Sequence, residues 1–122
     1  MISEDVILNF AAVSLNSVWA LELLLVLKRD PARTWDADEI IRELRSSQGV
    51  VAGALGNLIA ARLAVRDEAG CYRYQAGVDG LDEMVTAVEK LYVTKPAAVI
   101  RTIVTAPNRK LQILSNAFRF KE

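Results

Sequence analysis

The chain has 122 residues, with 15 basic and 15 acidic side chains balancing to zero net charge, no histidine and one cysteine, Cys71. At 52% apolar and 25% charged residues it has the composition of an average globular domain, which excludes wholesale disorder and fibrous repeats. The missing histidines and single cysteine remove the zinc ligand sets, the Ser-His-Asp and Cys-His nucleophiles and any disulfide framework.

The length is that of one domain, 1–122. One thiol points to a reducing compartment, most simply the cytoplasm. The longest apolar stretch, Val18 to Leu27, is interrupted by Glu22. As a helix it would rise about 15 Å, half the hydrocarbon thickness of a bilayer, so no membrane partner is expected. Glu4 and Asp5, with no basic residue before Lys28, do not make the positive start of a secretory signal.

The elements follow in chain order. Val6, Ile7, Phe10, Ala11 and Val13 have helical spacing and predict an N-terminal helix within 1–15. Asn16 or Ser17 caps the next, Val18 to Arg29, which is apolar on nearly all sides and therefore central. Lys28 and Arg29 suit its C-terminal dipole, and Pro31 stops it. Trp19 is expected to anchor the core.

Asp36 with Glu39 three residues on makes a capping box, and Trp35 can pack on Ile40 as a hydrophobic staple. That short helix ends near Arg45. Ser46, Ser47, Gln48 and Gly49 form a tight turn into a helix from about Gln48 to Arg62, with Val51, Leu55, Leu58 and Leu63 as its apolar ladder. The period then changes to two. Leu63-Ala64-Val65-Arg66 and Cys71-Tyr72-Arg73-Tyr74 alternate around Ala69-Gly70 and predict a β-hairpin with Tyr72 and Tyr74 on one strand face. Asp79 is expected to cap the last section, in which Leu81, Val85, Val88, Tyr92, Val99 and Ile103 keep one helical phase past Pro96. Proline disfavours helical geometry at Lys95, so a kink or break is expected at Thr94–Pro96. Leu111 to Phe120 reads as a final short helix.

The class is thus mainly α with a small β-hairpin. Three helices with a tight turn before the third, followed at once by a hairpin, are the order of a winged helix-turn-helix. The run DADEIIRELRSSQGVVAGALGNLIAARLAVRDEAGCYRY carries the match, and Val18 to Gln75 resembles the bacterial winged-helix transcriptional regulators, MarR-like in the broad sense. The resemblance implies a winged-helix core at 17–76 with extra N- and C-terminal helices, the extension at 79–122 serving a homodimer. It also implies a recognition helix in the major groove and a wing on the DNA backbone, hence transcription regulation. Carried onto this sequence, the DNA-facing positions are Ser47, Gln48, Ala52, Gly53 and Asn57, with Ile59 beside them. Arg66 and Arg73 on the hairpin, with Arg45, Arg109 and Lys110, would contact phosphate. Gln48 and Asn57 are the side chains suited to an adenine edge. The chain departs from the family habit in having no lysine or arginine between Gln48 and Ala61.

Charge is distributed unevenly. Residues 36–76 hold five basic and six acidic groups, whereas Lys95 to Lys121 holds six basic groups and no acid. A basic arm for phosphate or for an acidic protein follows from that run, as does a simple solvated face. The alternative to DNA is a non-enzymatic adaptor that binds a protein partner through the small-residue third helix and the basic tail.

No catalytic, metal or cofactor site is expected. The glycines of GVVAGALG have neither dinucleotide nor P-loop spacing, and imply close approach to this helix by DNA, another helix or another protein. The acidic pairs Glu4-Asp5, Asp38-Glu39 and Asp82-Glu83 fall in first helical turns, where the dipole favours them. Glu22 is expected to reach solvent or a basic partner, and Cys71 to be a small packed side chain.

Overall fold

The computed structural model describes residues 2–106. The expected helix at Leu111–Phe120 and the expected contacts Arg109 and Lys110 lie outside them. Ser3 accepts the Val6 N–H and starts α1 (Glu4–Ser14), with Glu4 and Asp5 in its first turn. Ser17 accepts the Ala20 N–H and starts α2 (Val18–Arg29), set at 105° to α1. Ala20, Leu21, Leu23, Leu24 and Leu27 of α2 have no exposed surface, so this helix is the centre of the molecule, as its all-round apolarity predicts.

Trp19 is not in that core; it is 41% exposed. The helix turns Ala20, Leu21, Leu23 and Leu24 inward, and position 19 falls on the side where α2 borders α3. Glu22 is half-buried and makes no ion pair among the described residues: it reaches the groove beside Trp19, and its Oε1 accepts the Tyr92 hydroxyl at 2.6 Å. A phenol donor satisfies the carboxylate without a counter-charge.

Trp35 is 5% exposed and pairs with Tyr72 in an antiparallel bridge, with N–H to carbonyl bonds of 2.8 and 2.7 Å in the two directions. Local spacing cannot reveal this partner, which comes 37 positions later in the chain. The Arg33 guanidinium lies 3.4 Å from the centre of the Trp35 ring. Next, Asp36 and Glu39 close the expected capping box reciprocally, at 2.8 and 3.0 Å, and begin α3 (Ala37–Leu44). Arg45 ends it in the left-handed region at φ 52°.

Ser47 accepts the Val50 N–H and begins α4 (Gln48–Ala60), which buries Val51, Ala54, Leu55 and Leu58. β1 (Ala64–Arg66) and β2 (Tyr72–Tyr74) form the one sheet among the described residues, antiparallel with Ala64 opposite Tyr74, Val65 opposite Arg73 and Arg66 opposite Tyr72. Gly70, at φ 82°, supplies the turn.

Asp79 does not cap the last section. Gly80, at φ 84° and without a side-chain cap, precedes α5 (Leu81–Thr94), and Asp82 instead accepts the Tyr74 hydroxyl at 2.5 Å. The break before Pro96 is present: Lys95 leaves helical geometry and α6 (Pro96–Ala106) restarts with proline at its first position, where its missing N–H costs nothing. The apolar phase survives the break, since Val85, Val88, Val99 and Ile103 are all buried.

The protein is therefore mainly helical with a small two-stranded antiparallel sheet. One apolar cluster draws on all six helices, the hairpin and Trp35. No single helix among the described residues is long and apolar enough to cross a membrane.

Candidate nucleic-acid interface

The turn from α3 to α4 is short because Arg45 adopts φ 52° and the Ser46 N–H reaches back to the Ile41 carbonyl at 3.1 Å. Ser47 then starts α4 with its hydroxyl committed to the cap. The outward side of α4 presents Gln48, Gly49, Ala52, Gly53, Gly56, Ile59 and Ala60, all exposed. A Cβ built on Gly49, Gly53 or Gly56 would meet nothing within 4 Å. These glycines make room for no neighbour inside the chain. Of the approaches that the sequence leaves open, packing of another element of this fold against them is excluded among the described residues.

Ser47, Gln48, Ala52 and Gly53 thus lie together on one exposed side. Asn57 does not join them. Its Oδ1 accepts the Asn16 N–H at 2.8 Å and its Nδ2 donates to the Ser14 carbonyl at 2.9 Å, so the carboxamide is spent on the α1–α2 link. That leaves Gln48 as the one side chain on this side suited to a base edge.

The hairpin arginines occupy opposite faces. Side chains alternate along a strand, so Arg66 shares its face with Tyr72, directly across the ladder, while Arg73 lies on the other face opposite Val65. Arg66 is exposed, with its guanidinium 5.9 Å from the Tyr72 ring centre. Arg73 is half-buried. Arg45 is exposed at the other end of α4.

The charged groups of this unit, five basic and six acidic, are engaged unevenly. Asp36 and Glu39 are held by backbone amides in the capping box, Glu39 also pairs with Arg33 at 3.2 Å, and Asp67 Oδ1 accepts the Ala69 and Cys71 N–H groups at 2.9 Å. Glu43 lies 4.0 Å from Arg29. Its five arginines, Arg42, Arg45, Arg62, Arg66 and Arg73, make no ion pair among the described residues, whereas Lys28, Arg29, Arg33 and Lys95 all do. Lys90 and Arg101, on α5 and α6, are the other described cations without an ion pair. Arg42 and Arg62 were no part of the sequence expectation. The signal for them was available, because acids in cap positions are consumed locally while arginines outside caps are not.

Cys71 follows the turn glycine and is half-exposed rather than packed away. Its thiol is held above its ordinary value by burial and then by the nearby Asp67, Asp36 and Glu39 carboxylates, so the acids outweigh any help from Arg66 and Arg73. Among the described residues no three Cys, Asp or Glu side chains gather as a metal site. No family model matches the chain, and no curated protein or solved structure matches it.

Proposed function

We propose that the chain is a winged helix-turn-helix regulator that binds duplex DNA, with α4 against the major groove and the β1–β2 hairpin as its wing. The observation that carries this reading is the set of unpaired arginines around a bare, uncharged helix. Arg42 and Arg45 lie before α4, and Arg62, Arg66 and Arg73 follow it, while three of the six acids of the same unit, Asp36, Glu39 and Asp67, accept backbone N–H groups. Phosphate contacts by arginine supply most of the affinity of a DNA-binding protein. Glycine and alanine on the outward side of α4 let the helix backbone approach a groove closely, and Ala52 suits a thymine methyl. With Gln48 as the one base-reading polar side chain, discrimination between sequences is weak and leans on DNA shape.

The reading includes action as a homodimer in the cytoplasm. Much of the apolar surface of α1 and α5 is buried within the chain, and the Lys95 ammonium joins Glu4 of α1 at 2.7 Å. Val6 and Val13 on α1, Val93 on α5 and Val104 on α6 stay exposed for a second copy. Sedimentation showing a monomer at tens of micromolar removes this part of the proposal.

The second reading, a protein-binding adaptor, is favoured by the exposed uncharged strip of Ala52, Gly56 and Ile59. Fluorescence anisotropy of a labelled random-sequence duplex at several salt concentrations separates the two. The DNA reading requires binding whose logarithmic salt slope falls by about 0.9 for each arginine contact removed in Arg45→Ala, Arg66→Ala and Arg73→Ala. No binding at low salt with tens of micromolar protein overturns it and leaves the adaptor.

A further inference from the structure

The exposed tryptophan and the carboxylate inside the most apolar helix lie on one groove. Trp19 and Glu22 are one turn apart on α2, and with Val18 they face Glu43 and Leu44 at the end of α3 across a cavity of about 380 Å³. That size falls within the range of about 300–1,000 Å³ typical of small-molecule sites. Its composition is that of a mixed site, with aliphatic walls from Val18 and Leu44, an indole 41% exposed, and two carboxylates.

We propose that this groove binds a small organic cation with an aromatic or other planar body, an arylalkylamine or amidinium. Three features favour positive charge there. Glu22 uses Oε1 for the Tyr92 hydroxyl, and its Oε2 makes no hydrogen bond among the described residues. Glu43 pairs, among the described residues, with the Arg29 guanidinium alone, 4.0 Å away on side chains 64% and 48% exposed, a contact that an incoming cation displaces readily. The C-terminal end of α3, where Glu43 and Leu44 sit, adds the negative pole of the helix. The Trp19 indole supplies a face for the planar body and for cation–π attraction. Among the described residues no group of three Cys, Asp or Glu side chains forms here, and the aromatic face and aliphatic walls suit an organic cation better than a hydrated metal ion. The inference does not depend on the DNA reading.

The test is a titration of the full chain with benzamidinium, with neutral benzamide and anionic benzoate as matched probes, followed by the amide and indole N–H signals in nitrogen-15 spectra. The two indoles separate the outcome: Trp19 lines the groove, whereas Trp35 is buried elsewhere. The expected result is a saturable shift at Trp19 and at residues 18–22 and 43–44 with benzamidinium, a static Trp35, and much weaker response to the other two probes. Glu22→Gln keeps an acceptor for Tyr92 and removes the charge; it and the exposed Glu43→Gln should each weaken binding about tenfold. If Glu22→Gln does not fold, Glu43→Gln alone decides. No saturable shift at Trp19 overturns the proposal, as does a shift equal for benzamide or unchanged in the glutamine variants.

Discussion

The Asn57 carboxamide on α4 receives the N–H of Asn16 at 2.8 Å and gives a hydrogen to the carbonyl of Ser14 at 2.9 Å, fastening the corner between α1 and α2 to the helix that carries the candidate interface. Removing it hands the exposed Asn16 N–H to water and takes a donor from the half-buried Ser14 carbonyl. Asn57→Ala should therefore lower stability by about 1 kcal/mol, and Asn57→Asp, whose second carboxylate oxygen would face the Ser14 carbonyl, by at least as much. Urea unfolding of the three proteins checks this. An unchanged midpoint in Asn57→Ala would mean that the corner is held by packing alone.

The glycines of α4 give the opposite sign. Because Gly53 and Gly56 have open space where a Cβ would stand, alanine at either position should raise stability by about 0.5–1 kcal/mol through helix propensity and a less disordered unfolded chain. The same variants are expected to bind duplex DNA more weakly, since the added methyls hold the helix off its target. Higher stability with unaltered binding would remove the outward side of α4 from the contact surface.

Tyr92 links stability to pH. Its hydrogen bond to Glu22, and then burial, push the phenol from an ordinary 10.0 up to about 12. Tyr74 is pushed up as well, first by burial and then by its bond to Asp82. The neutral phenol is the form favoured in the folded state, so the contribution is present in full below pH 10.0 and is lost as pH rises through about 12. Tyr92→Phe should be less stable than the parent at neutral pH, and the gap should narrow across that window. A gap independent of pH would show that the hydroxyl titrates normally.

The raised thiol of Cys71 makes it a poor nucleophile, because the thiolate is the reactive form. Alkylation by iodoacetamide at neutral pH is expected to be slower than for free cysteine. Asp67→Asn keeps the acceptor for the Ala69 and Cys71 N–H groups, removes the nearest negative charge and should speed the reaction. Alkylation faster than the free amino acid contradicts the electrostatic account.

Much of the local structure was legible from residue order. Ser17, the Asp36–Glu39 box, the Gly70 turn and the Pro96 break each act within a few residues, and their hydrogen bonds or steric clashes depend on neighbours the chain always has. The apolar phase from Val85 to Ile103 was legible for the same reason, since helical period survives a one-residue break. The fate of side chains with more than one satisfactory environment was not. Trp19 and Trp35 are the same residue type in apolar surroundings, yet one is exposed and the other buried, because only Trp35 meets the backbone of Tyr72. Asn57 had the chemistry to read a base, and the arrival of Ser14 and Asn16 at the α1–α2 corner consumed it. Glu22 found a phenol 70 positions away. Local signals act through contacts that form whatever the rest of the chain does; these pairings arise only when distant segments are packed to hydrogen-bond distance.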